Sequence, residues 1–101
     1  MRLKDRVVIV TGGASGIGKS ISIKAANEGA RVVVADIRET PLEGGQNTVD
    51  AILATGGIST YMNTDVTKYN DVKKLVANTV KKYGSLDVIV NNAAAHGRAA
   101  L

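Results

Sequence analysis

Thr11-Gly12-Gly13-Ala14-Ser15-Gly16-Ile17-Gly18 decides how the rest of the 101-residue chain is read, because it joins an apolar run to an amphipathic one. Before it stands Val7-Val8-Ile9-Val10, a β-branched run that favours a strand. After it, Ile17, Ile21 and Ala25 recur at helical spacing. Glycines in a strand-to-helix turn let the backbone adopt positive φ and let an anion come closer than a Cβ would allow. The unpaired N–H groups of the helix's first turn then face that anion. A diphosphate fits such a turn.

Working outward, apolar runs recur at residues 6–10, 31–35, 58–62 and 86–90, with room between successive runs for one helix and two turns. Val7-Val8-Ile9-Val10 and Val32-Val33-Val34 do not alternate with polar residues, as expected of parallel strands covered on both faces. The first helix is expected over residues 16–28, with Gly29 ending it. The second is expected to open at the capping box Thr40-Pro41-Leu42-Glu43, to carry Val49, Ile52 and Leu53 as its apolar face, and to close at Gly56-Gly57. The third carries Val72, Leu75, Val76, Val80 and Tyr83 on one face, with Thr67 as N-cap and Lys81 and Lys82 at the negative end of the dipole. Strand and helix alternate throughout, which is an α/β plan with a doubly wound parallel sheet. No linker interrupts residues 1–94, which are expected to form one unit, and residues 95–101 stand apart as a tail without a motif.

Composition narrows the function classes. The chain is 45% apolar and has no cysteine, so disulfides and thiolate metal sites are excluded. His96 is the only histidine, is expected on a solvated loop, and has no partner of its kind for a metal site. A net charge of +4 and a pI near 9.6 come from scattered lysines and arginines, without the basic stripe and interleaved aromatics of a nucleic-acid binder. The apolar run behind Met1 is too short for a signal peptide or a membrane span. A cytoplasmic protein that binds neither nucleic acid nor membrane is expected.

Two nucleotide-binding patterns overlap in the turn. Gly13-Ala14-Ser15-Gly16-Ile17-Gly18-Lys19-Ser20 matches G-x-x-x-x-G-K-S, the P-loop, in which Lys19 would reach phosphates and Ser20 would ligate Mg²⁺. Thr11, Gly12, Gly16 and Gly18 match T-G-x-x-x-G-x-G instead, and further motifs accompany them. Asp36 stands at the end of the second run, Asp65-Val66-Thr67 after the third and Asn91-Asn92-Ala93 after the fourth. In an open α/β sheet ligands bind outside the carboxyl ends of the strands, so these motifs converge on one crevice. The P-loop accounts for eight contiguous residues; the other pattern draws on all four strand ends.

Together these motifs resemble the short-chain dehydrogenase/reductase family. The resemblance implies a Rossmann-type sheet of strand order 3-2-1-4 with three helices, holding a nicotinamide dinucleotide. It implies cofactor contacts at Gly12, Ser15, Gly16, Ile17, Gly18, Asp36, Ile37, Asp65, Val66, Asn91 and Ala93. Asp36, roughly 20 residues past the loop, would bind both ribose hydroxyls and repel a 2′-phosphate, so NAD is expected over NADP. Arg38 is the one neighbour that could meet a 2′-phosphate. Asp65 would meet the adenine amino group, Val66 would line the adenine pocket, and Asn91 would border the adenosine ribose. Asn91-Asn92-Ala93-Ala94 departs from the family's N-N-A-G by carrying Ala94 in place of glycine.

Tyr69-Asn70-Asp71-Val72-Lys73 spells the family's catalytic Y-x-x-x-K, but it precedes the fourth strand, where the two residues are expected to be surface neighbours on a helix. The family's catalytic tyrosine, lysine, serine and asparagine would all follow Leu101. The chain is therefore expected to carry the cofactor grip of an enzyme acting on a small alcohol or ketone, with no catalytic or metal-binding residue of its own. The alternatives are a P-loop protein and a non-catalytic nucleotide-binding or assembly module. The fourth strand would be an open parallel edge, which favours homo-oligomers or pairing with another chain.

Overall fold

The structure is a computed structural model that describes residues 2–93. Its elements are β1 (Val7–Thr11), α1 (Gly16–Asn27), β2 (Arg31–Asp36), α2 (Thr48–Ala54), β3 (Ile58–Asn63), α3 (Tyr69–Tyr83) and β4 (Val88–Asn91). The strands form one sheet in the order β3-β2-β1-β4, with every pairing parallel. Thr11, the last residue of β1, pairs with Ala35 on one side and Asn91 on the other. Three strand ends are thus level beside the glycine-rich turn. Ala94 and residues 95–101, His96 among them, lie outside the described residues.

The continuous apolar runs resolve into two faces. Val8, Val10, Val32 and Val34 pack with Ala25 of α1 and Ile52 of α2, while Ile9, Val33 and Ala35 pack with Leu75 of α3. Successive side chains of a strand point to opposite faces, so every position must be apolar when helices cover both. Burial of β1 and β2 is nearly complete. β4 is an edge, and its Val88 and Ile89 are 40% and 51% exposed. Among the described residues no helix is long and apolar enough to cross a membrane.

Several expected boundaries move, each for a visible reason. The capping box at Thr40 does not open the second helix, which begins at Thr48 with Asn47 as its cap. Gly44 and Gly45 take φ of +85° and +90°, outside helical space, and the Glu43 carboxylate turns to the Gly16 amide instead of back to Thr40. Buried Thr48 fixes the actual start by donating its hydroxyl to the Gly13 carbonyl at 2.8 Å. Thr67 is not the cap of α3, because Asp65 takes up both its amide and its hydroxyl; Lys68 holds the cap position. α1 stops one residue short of expectation, with Glu28 as its C-cap. β4 begins at Val88, and Asp87 just before it is joined to β1 by its amide, which donates to the Val7 carbonyl at 2.9 Å, and by its side chain, which accepts the Val7 amide at 2.8 Å and lies 3.6 Å from Arg6.

Candidate functional site

The turn after β1 is built by close backbone approach. A Cβ on Gly18 would run into the Gly12 carbonyl oxygen and come within 2.7 Å of Asn92 Nδ2, and one on Gly12 would meet the same nitrogen at 2.9 Å. No side chain fits at either position. A Cβ on Gly16 would meet nothing within 4 Å, so the first residue of α1 faces open space. Its amide, with those of Ile17 and Gly18, belongs to the first turn that a helix leaves unpaired.

Polar contacts lock this turn to the neighbouring strand ends. Thr11 Oγ1 lies 3.3 Å from both Val90 O and Asn91 Oδ1 and accepts the Ala93 amide at 3.0 Å, joining β1 to the end of β4. Buried Asn92 donates its Nδ2 to the Gly12 carbonyl at 3.3 Å. Asp36 Oδ2 accepts the Ala14 amide at 3.1 Å while its Oδ1 accepts the Ile37 amide at 2.8 Å. An ionised carboxylate has about four acceptor positions, so both oxygens of Asp36 keep capacity for a ligand. Tyr61 and Asn63 on β3 brace the segment after Asp36 by donating to the carbonyls of Asp36 and Ile37.

These elements enclose a cleft of about 770 Å³ at the carboxyl ends of the strands. Of the residues singled out in the sequence, Gly12, Ser15, Gly16, Asp36, Ile37, Asp65, Val66 and Ala93 line it. Ile17, Gly18 and Asn91 do not. Ile17 is 69% exposed on the first turn of α1, Gly18 is packed beneath Gly12, and Asn91 turns its side-chain oxygen to Thr11. Tyr69 is exposed at the start of α3, and neither it nor Lys73 lines the cleft. Among the described residues no three His, Cys, Asp or Glu side chains are grouped to hold a metal ion.

Leu42, Glu43 and Thr64 also line the cleft, and sequence reasoning missed them as site residues. The capping-box pattern places Glu43 in a helix start, but Gly44 and Gly45 have positive φ and the Glu43 carboxylate bonds the Gly16 amide instead. Asn92 and Thr11 were missed as clamps. The doubled asparagine at the end of an apolar strand is the signal that could have found Asn92.

Asp65 forms an Asx turn, accepting the Thr67 hydroxyl at 2.6 Å and its amide at 2.9 Å. The hydroxyl, then the amide, hold its carboxyl below the ordinary aspartate value. A lowered pKa in the folded state means that the stabilisation is present above the unfolded value and is lost as pH falls through the folded one. Asp65 thus stays ionised, an acceptor only, throughout the neutral range.

The sequence model of the family described as short chain dehydrogenase matches residues 6–101. The chain is 44% identical to a 3beta-hydroxysteroid dehydrogenase of Mediterraneibacter gnavus over 91% of its own length and 32% of that protein. It is 42% identical to secoisolariciresinol dehydrogenase of Forsythia intermedia, over 91% of its length and 31% of that protein. Among solved structures, a short chain dehydrogenase from Mycobacterium avium superposes with a TM-score of 0.81 at 40% identity, covering 93% of this chain and 35% of the other. The chain spans about a third of the length of the curated relatives it matches.

Proposed function

Since the chain belongs to the short-chain dehydrogenase family, we propose that residues 2–93 form the NAD-gripping portion of an oxidoreductase acting on an alcohol/ketone pair. The observation that carries this reading is the cleft itself, where the side-chain-free turn at Gly12 and Gly16 opens toward Asp36, Ile37, Asp65 and Val66. The pyrophosphate is assigned to the α1 N-terminus, the adenosine ribose to Asp36, and the adenine to Asp65, Val66 and Ile37, while Asn91, which is outside the cleft, acts through Thr11. Bound there, the cofactor supplies the hydride acceptor or donor. The chain's own residues hold and orient it.

Two features support NAD over NADP. The Asp36 carboxylate ends β2 at the cleft, where a 2′-phosphate would meet like charge. Arg38, the cation that could offset it, also lines the cleft, but its guanidinium is engaged with Thr40 through Nε to the carbonyl at 3.1 Å and Nη2 to Oγ1 at 3.0 Å. The P-loop alternative gains nothing from the geometry, since Lys19 Nζ donates to the Gln46 carbonyl and neither Lys19 nor Ser20 lines the cleft. The substrate class is supported by the relatives named as dehydrogenases of a hydroxysteroid and of secoisolariciresinol.

Nicotinamide fluorescence tests this function. NADH is expected to titrate to saturation and NADPH to bind at least about tenfold more weakly, given like charges at close range. Absence of saturable NADH binding overturns the assignment.

A further inference from the structure

The segment from Ile37 to Asn47 crosses the mouth of the glycine-rich turn and is held there by polar contacts. Glu43 Oε2 accepts the Gly16 amide at 3.0 Å, Ser15 Oγ accepts the Leu42 amide at 2.7 Å, and Lys19 Nζ donates to the Gln46 carbonyl. All three partners lie on Ser15 or the first turn of α1, the assigned position of the pyrophosphate. Pro41 is buried, whereas Leu42 is 74% exposed and Glu43 to Gln46 are exposed as well, so the stretch that can move starts after Pro41. Gly44 and Gly45 follow Glu43 with positive φ and open space around their Cα atoms, a joint that can turn without clash.

A carboxylate on the first amide of a helix satisfies both an unpaired donor and the positive end of the dipole. A phosphate uses the same two features. Gly16 has one N–H, and it cannot serve both anions. We propose that Glu43 is a built-in competitor for the dinucleotide's pyrophosphate, so that cofactor binding must displace the Glu43 carboxylate from Gly16 and swing the segment on Gly44 and Gly45. This rests on the cofactor reading above. Glu43 thereby limits affinity and speeds cofactor release, and the contact is made only while the cleft is free. The Gly16 amide, then Glu43's own amide, and Lys19 hold the Glu43 carboxyl below its ordinary value, so the competitor is charged at neutral pH.

Calorimetric titration of inorganic pyrophosphate and of NADH into the wild type, Glu43→Gln and Glu39→Gln tests this. Glu39 is an exposed carboxylate of the same segment, and its substitution removes the same charge without touching Gly16. Glu43→Gln is expected to tighten both ligands about fivefold, the scale of a carboxylate removed from a helix N-terminus and from a phosphate's neighbourhood. Glu39→Gln should tighten them much less. Equal effects of the two substitutions on pyrophosphate binding overturn the proposal. Tightened pyrophosphate binding without NADH binding to any of the three proteins supports Glu43 as the competitor and overturns the cofactor reading instead.

Discussion

Gly18→Ala is expected to destabilise the fold by about 2–3 kcal/mol, the scale of overpacking a closely packed backbone, and to raise the Kd for NADH at least tenfold. The added methyl meets the Gly12 carbonyl, which is backbone and cannot swing aside as a side chain could. It also crowds Asn92 Nδ2, the group that ties the turn to the end of β4. Helix propensity alone predicts the opposite sign, because alanine is favoured over glycine inside a helix by about 1 kcal/mol. The contact decides. Urea unfolding of the variant reads the first effect and NADH titration the second. Gly16→Ala makes the comparison informative, since its methyl has open space around it and its cost comes from a φ of +51°. That variant should lose more in cofactor affinity than in stability, because its methyl stands beside the amide assigned to the pyrophosphate.

Asp36→Ala is expected to weaken NADH binding about tenfold to a hundredfold, the range for hydrogen bonds to a charged acceptor. NADPH should lose far less, because the substitution removes a repulsion along with the attraction. Part of the effect passes through the turn, since Asp36 Oδ2 holds the Ala14 amide. Asp36→Asn keeps one acceptor oxygen there and removes the charge, which separates the two contributions. Fluorescence titration of both cofactors into both variants provides the measurement. Unchanged NADH affinity in Asp36→Ala would sink the ribose assignment.

The strands were legible because β1 and β2 are packed on both faces, which forces Val, Ile and Ala at successive positions. Sheet order came with the family resemblance, and the pairing of Thr11 with Ala35 and Asn91 agrees with it. α3 was legible in its apolar spacing. Its start was not, because Thr67 is as good a partner for the Asp65 side chain as it is a helix cap. The segment after Asp36 was read wrongly for a related reason. Thr40, Pro41 and Glu43 satisfy a local rule for starting a helix, while the contacts that overrule it come from Ser15, Gly16 and Lys19 on another element. Long-range polar contacts leave no period in the sequence, and the part of the cleft formed by Leu42 and Glu43 was hidden with them. Glycine patterns, by contrast, report a shortage of space that is local to the turn, which is why Gly12 and Gly18 could be placed from the sequence.

In the proposed function the cleft at the strand ends holds a nicotinamide dinucleotide by its pyrophosphate and adenosine. NADH titrated into ¹⁵N-labelled protein, with each backbone amide followed, reports this binding residue by residue. Saturable shifts are expected at Gly12, Ser15, Gly16, Ile37, Asp65, Val66 and Ala93, with the Gly16 and Glu43 amides moving together. Mg·ATP is expected not to move Lys19 and Ser20 as a P-loop would require. Shifts centred on Lys19 and Ser20 with Mg·ATP, or no shift at Gly16 with NADH, would contradict the proposed function.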